Sequence, residues 1–290
     1  LARALVGARV AYHLAAIYDI GVVDEAALER TNVGGTRAFL EAVGRAGTPR
    51  AVYVSTTAAL GPVPEGEGDE SSENPGPYRS AYERTKAEAH RLAREAQRRG
   101  LPLIVVAPAL VYGPGDRGPA GRFLCDLLAG RVPALVTPLA WWSYVHVDDV
   151  VEGLLLAAER GRPGESYVLS GEHVRLDDFA RRAARLAGRR PPPLRVPLPL
   201  ARAVARAADA LARATGLRLP ISREAVEMAA GWRWLHSHAK ATRELGWTPR
   251  PLDAGLPETV AWALAARRKA LTPARPGAEF QGDGESRRNR

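Results

Sequence analysis

The sequence predicts an α/β fold built on a doubly wound parallel sheet, and three observations carry that expectation. Two short β-branched runs, Ala51–Thr57 and Leu103–Pro108, flank a long stretch of helical periodicity. An earlier apolar run over residues 10–14 precedes a helix that carries Asn32. Strand–helix alternation at this spacing favours parallel strands covered by helices on both faces. The third observation is chemical: Tyr82 and Lys86 stand four residues apart, on one face of one predicted helix.

That helix is expected over residues 81–99, ending at the C-cap Gly100. Ser80 and Glu83 read as the N-cap and N3 positions of a capping box, so Tyr82 falls in the first turn. A free phenol has a pKa of about 10 and is a poor base at neutral pH. A neighbouring Lys86 ammonium and the positive end of the helix dipole both favour phenolate, so a lowered tyrosine pKa is expected. A phenol tuned in this way exchanges a proton with a carbinol or carbonyl. Composition sharpens the point. Of 41 basic residues only Lys86, Lys240 and Lys269 are lysines. Arginine is a poor substitute where a compact, tunable ammonium is needed.

The run beginning Ala51–Val54 ends in three hydroxyls, Ser55, Thr56 and Thr57, at what would be a strand's carboxyl end. Ligands of open α/β sheets bind beyond those ends. The run from Leu103 leads into Pro108 and then Ala109-Leu110-Val111-Tyr112-Gly113-Pro114-Gly115-Asp116. Residues 165–169 supply a last sheet strand. Residues 62–78, acidic and rich in Pro and Gly, read as a loop between the hydroxyl-bearing strand and the tyrosine helix. Either it covers a substrate or it is a solvated connector.

Seven segments then occur in a telling order: HLAA, NVGGT, VSTTAALG, YERTK, PALVYGPGD, YVHVDDVVEG and AKATRELGW. Across about residues 1–268 the chain resembles the extended short-chain dehydrogenase/reductases, the superfamily of NAD-dependent epimerases and dehydratases. STTAALG and SREAVEM are most similar to its dihydroflavonol-4-reductase-like branch. The resemblance implies a Rossmann-like core and NAD or NADP as cofactor. It implies Tyr82 as acid/base, Thr56 as the hydroxyl on the substrate oxygen (with Thr57 or Ser55 as alternatives), and Lys86 on the nicotinamide ribose. Asn32 would support the active site or its proton relay. Cofactor contacts are expected from Leu14, Ala15, Ala16, Ser55, Tyr82, Lys86, Pro108 and Val111. Thr57, Arg117, Arg122, Phe123 and Tyr144 are the expected substrate contacts.

The sequence departs from that pattern in one respect. The GxxGxxG turn that seats a pyrophosphate on a helix N-terminus does not precede Leu14, the chain opens on Leu1, and its one methionine is Met228. The simplest expectation is a fragment lacking two βα units, roughly 60 residues. The strand at residues 10–14 would then have an open edge, and this chain would bind NAD(P) weakly. The residues that tell NAD from NADP would lie in the same segment.

Residues 1–170 are read as the truncated dinucleotide-binding core. Residues 171–270, helped by 115–140, are read as a smaller, mostly helical substrate lobe. There Leu200, Val204, Ala207 or Ala208, and Leu211 recur at helical spacing before Gly216, which predicts a core-facing stripe. The tail 272–290 lacks periodicity and should be disordered. The chain's 290 residues support an ample core, and one cysteine, Cys125, excludes internal disulfides and fits a reducing cytoplasm. No apolar run is long enough for a transmembrane helix. The net charge of +9 comes from arginines interleaved with acids, and aromatics are only 6%. Those features argue against a nucleic-acid surface. His236 and His238 lack companions for a metal site. Ser143, His146, Asp148 and Asp149 lie too close along the chain for a hydrolase relay, and Asp148 or Asp149 is expected to cap the following helix. The function expected is an oxidoreductase at a secondary alcohol/ketone pair. A nucleotide-sugar epimerase or dehydratase using the same residues, or a non-catalytic cofactor sensor, are the alternatives. The expected partner is a small-molecule substrate, and a homodimer is left open.

Overall fold

A computed structural model describes residues 1–21, 23–216 and 221–271; the tail 272–290 lies outside the described residues. In chain order its first elements are α1 (Ala2–Leu5), β1 (Ala11–His13), α2 (Glu25–Leu28), a π-helical turn (Glu29–Gly34), α3 (Gly35–Ala46) and β2 (Ala51–Val54). A 3₁₀ turn (Thr57–Ala59) and the loop 62–78 lead to α4 (Ala81–Arg98), β3 (Leu103–Pro108), β4 (Leu110–Tyr112) and α5 (Pro119–Leu128). Next come β5 (Ala134–Thr137), β6 (Trp141–His146), α6 (Val147–Arg160), β7 (Ser166–Leu169), β8 (His173–Arg175) and α7 (Leu176–Leu186). The chain closes with β9 (Leu194–Pro197), α8 (Leu198–Thr215), α9 (Arg223–Ala229), β10 (Arg233–Trp234), α10 (Ala239–Leu245) and α11 (Leu252–Leu271).

The main sheet is parallel, in the order β1-β2-β3-β7. Its register places Ala51 beside Leu103 and Val105 beside Ser166. Side chains alternate across it, as period-2 geometry requires. Ala51, Tyr53, Leu103 and Val105 pack with Phe39 and Val43 of α3 and Ala89 and Ala93 of α4. Val52, Ile104 and Val106 face the other way, onto Val150, Leu154 and Ala157 of α6 and Leu245 of α10. Helices on both faces make the sheet doubly wound, as predicted. At Gly153 of α6 an added Cβ would lie 2.4 Å from a Leu169 methyl, so glycine lets helix and strand touch.

A second sheet, β10-β6-β4 with β8 on β6, draws strands from either side of residue 170. A third pair, β5-β9, is backed by α8 and α9, where Ala201, Ala205 and Val226 form a small core.

Two local expectations fail. On α8 the buried positions are Ala201, Ala205, Ala208, Asp209 and Ala212, whereas Leu200, Val204 and Leu211 are exposed. The predicted stripe faces outward, because alanines let this helix approach its neighbours closely. The cap of α6 is His146, whose ring accepts from the Asp148 N–H at 3.3 Å, not Asp148 or Asp149. Asp149 instead accepts from Arg250 at 2.8 Å.

Candidate active site at the carboxyl end of the sheet

Tyr82 is positioned by the start of α4. The Ser80 hydroxyl accepts the Glu83 N–H at 3.0 Å, the first half of the expected capping box. The reciprocal arm lands one residue earlier: the Glu83 carboxylate accepts the Arg79 N–H at 2.6 Å, along with the Arg79 guanidinium and the Asn74 amide. The loop 62–78 is therefore anchored to the helix start. Its Glu70 also accepts the Val168 N–H at 2.8 Å, and its Gly68 exchanges backbone bonds with Leu235 and Ser237. It is a packed layer, not a free connector.

Three hydroxyls follow β2, and they have separate fates. Ser55 turns inward and bonds His90 Nδ1 at 2.8 Å. Thr57 is buried in the 3₁₀ turn. Thr56 caps that turn, and its hydroxyl is near enough to the Tyr82 phenol to favour its ionised form. The Ser55 hydroxyl is thus engaged by His90, while Thr56 is the one of the three beside the phenol.

Lys86 is buried, with Nζ donating to the Val54 carbonyl at 3.0 Å and to the Tyr53 hydroxyl at 3.5 Å. Burial pushes its pKa down to about 8. The expected lowering of the Tyr82 pKa is not found. Burial pushes that phenol up to about 12, opposed by the neighbouring Thr56 hydroxyl. Desolvation outweighs the helix N-terminus because the charged form loses its water.

Asn32 lies in the π-helical turn, a local distortion frequent at functional sites. Its amide accepts the Ile17 N–H at 2.8 Å and donates to the Ile17 carbonyl and to Thr85 Oγ1, each at 3.1 Å. Thr85 in turn donates to the Tyr82 carbonyl. Asn32 thus joins the segment after β1 to the tyrosine helix. Beyond β1, Leu14, Ala15 and Ala16 are exposed, and Pro108 closes β3. Small exposed residues and strand ends beside a buried lysine fit the nicotinamide half of a dinucleotide.

The substrate expectations fare unevenly. Arg117 is exposed, and Arg122 is paired with Asp19 at 2.6 Å. Phe123 packs against the lobe core. Tyr144 is buried and stacked on Phe179 with ring centroids 4.6 Å apart. Val111 packs against the sheet core. Tyr144 is corrected to a packing position, its ring used internally, whereas Phe123 and Val111 are half-buried and pack with part of their surface.

Several neighbours of Tyr82 escaped the sequence reading. The Tyr18 ring stands 4.7 Å from that of Tyr82. Ile20, Ala58, Trp142, Met228, Trp232 and Trp234 form one apolar cluster with Tyr82. The Arg79 guanidinium lies 3.9 Å from the Trp232 ring centre. No spacing signal links residues 18–20 to 228–234; only folding brings them together. A groove of about 570 Å³, lined by Gly47, Pro49 and Pro102, opens at the opposite, amino-terminal ends of β2 and β3.

Parallel strands with flanking helices and a polar cluster at their carboxyl ends define a dinucleotide-binding α/β protein. A model of the NAD-dependent epimerase/dehydratase family matches residues 2–170. The chain is 35% identical over 268 residues to sterol demethylase protein B of Methylococcus capsulatus, covering 89% of this chain and 80% of that one. It is 30% identical over 264 residues to a putative dihydroflavonol 4-reductase of Synechocystis, covering 88% and 76%. The crystal structure of gox2253 superposes with a TM-score of 0.77 at 34% identity, over 92% of this chain and 82% of that one. The chain belongs to the NAD-dependent epimerase/dehydratase family, and its cofactor class is NAD or NADP.

Proposed function

We propose that the protein is an NAD(P)-dependent oxidoreductase acting at a secondary alcohol/ketone pair on a largely apolar, cyclic substrate. The observation that carries this reading is the placing of Tyr82, with Thr56 beside it at the carboxyl end of β2, against the apolar cluster of Ile20, Trp142, Met228 and Trp232. A nicotinamide held there would supply or accept the hydride. Tyr82 donates the proton to the carbonyl oxygen, and a phenol held near pKa 12 is protonated at neutral pH, as a donor must be. Thr56 donates a second hydrogen bond to the same oxygen. Lys86, Leu14, Ala15, Ala16 and Pro108 hold the nicotinamide end, with Lys86 on its ribose. Asn32 orders the Ile17 segment beside it.

The apolar cluster supports this substrate class over a nucleotide sugar. The names of the two relatives, sterol demethylase protein B and a putative dihydroflavonol 4-reductase, point the same way.

The test is loss of reduced-nicotinamide absorbance with NADH or NADPH, offered cyclic apolar ketones of the steroid and flavanone classes in parallel with nucleotide sugars. The reading expects oxidation with the ketones. Interconversion of nucleotide sugars without net cofactor consumption would replace it with the epimerase reading.

A further inference from the structure

Glu224 belongs to α9 in the lobe, yet both bonds of its carboxylate go to the sheet domain. One oxygen accepts the Gly21 N–H and the other the Ala81 N–H, each at 2.8 Å. Ala81 is the first residue of α4 and the neighbour of Tyr82. Gly21 ends the segment that runs from β1 through Tyr18. One side chain therefore ties three parts of the molecule together.

This placement is not explained by the needs of α9 itself. Ser222 caps that helix through the Ala225 N–H. The charges felt by Glu224 are the acids Glu25 of α2 and Asp209 of α8, which repel it, and burial raises its pKa. Among the described residues it forms no ion pair with a cation. A half-buried carboxylate near two other acids is costly, and what offsets the cost is the pair of backbone N–H groups it gathers. Gly21 is adapted to this contact. Its φ is +117°, and an added Cβ would lie 3.1 Å from the Ser222 hydroxyl. The same segment is clasped at two further points. Asp19 pairs with Arg122 of α5 at 2.6 Å, and the Tyr18 ring packs so closely on Gly118 that an added Cβ there would be 3.0 Å away. Tyr18 is thereby held against Tyr82.

We propose that Glu224 is a positioning residue, a clasp from the lobe that fixes the Tyr18 segment and the amino end of the tyrosine helix relative to each other. It rests on the reading of Tyr82 as proton donor but touches neither the reacting oxygen nor the cofactor. Its loss should therefore lower kcat by misplacing Tyr82, with little effect on cofactor binding.

The test compares Glu224→Ala and Glu224→Gln with Arg223→Ala, an exposed neighbour on the same helix, in the full chain. Hydrogen exchange is followed at Gly21 and Ala81, and kcat and KM are measured with the ketone the wild type reduces. Glu224→Ala is expected to speed exchange at both amides by about ten-fold or more while the Ala225 amide stays protected. Its kcat should fall by about ten-fold or more, with KM for the cofactor within about three-fold. Glu224→Gln keeps one good acceptor and should fall between, and it decides the matter if the alanine variant does not fold. Wild-type exchange at Gly21 and Ala81, or faster exchange with kcat intact, overturns the proposal. Should the wild type reduce no ketone, the oxidoreductase reading fails, while the exchange rates still decide the clasp.

Discussion

The strands of the main sheet and helix α8 bury different kinds of side chain. Strands β2 and β3 turn mostly large side chains to both sheet faces, and near the strand ends the interior holds partnered polar ones: Asn32, Ser55, Thr85, Lys86 and His90. In the lobe, α8 hides alanines and displays Leu200, Val204 and Leu211. A sheet face accepts bulky side chains, whereas helix and strand layers in close contact select small ones. Hydrophobicity alone therefore points inward in one region and misleads in the other.

The largest effect expected on this contrast is at the polar end of the sheet domain. Thr56→Ala removes one donor to the reacting oxygen and should lower kcat about 10²-fold or more, with the thermal midpoint nearly unchanged. Steady-state kinetics beside a melting curve check both halves.

Lys86→Met should separate function from stability. The folded-state pKa of about 8 lies below the free value of 10.5. The unfolded chain therefore binds the proton more readily, and burial of the ammonium costs stability in full below pH 8. That cost fades as pH rises toward 10.5. Removing the charge should stabilise the protein by about 2–3 kcal/mol at pH 7, a gain that vanishes by about pH 10.5, while turnover drops. Urea unfolding across that range measures it; a variant less stable at pH 7 would contradict the account.

The lobe gives a smaller, paired contrast. Ala205→Leu overpacks the contact of α8 with its neighbours and should cost about 1–3 kcal/mol. The adjacent Val204→Ser, on the exposed face, should stay within about 0.5 kcal/mol. Equal costs would mean that the outward stripe is covered in solution.

Much of the sheet domain was legible in the sequence because its signals are local. The strands Ala51–Val54 and Leu103–Pro108, the helix opened by Ser80, and the Tyr82/Lys86 pair are each contained in a few residues. A hydroxyl cluster after β2 was legible from its place, though which of Ser55, Thr56 and Thr57 lies at the phenol was not. Tyr18, Glu224 and the Trp232–Trp234 wall were not, since each meets Tyr82 or its helix only through contacts distant in sequence. Tyr144 and Phe123 looked like site residues because aromatics near a strand end serve a pocket or a core equally well, and only packing decides. The direction of the Tyr82 shift was misjudged because a helix terminus is visible in a sequence and the loss of solvent is not.

The central claim is that the Tyr82 hydroxyl delivers the proton. Its most direct test is Tyr82→Phe, which keeps the ring and its packing beside Tyr18 and Trp232 and removes only the oxygen. The account predicts turnover reduced by about 10³-fold or more, with the Kd for the reduced cofactor nearly unchanged. Turnover within about ten-fold of wild type would contradict it and assign the proton to another group.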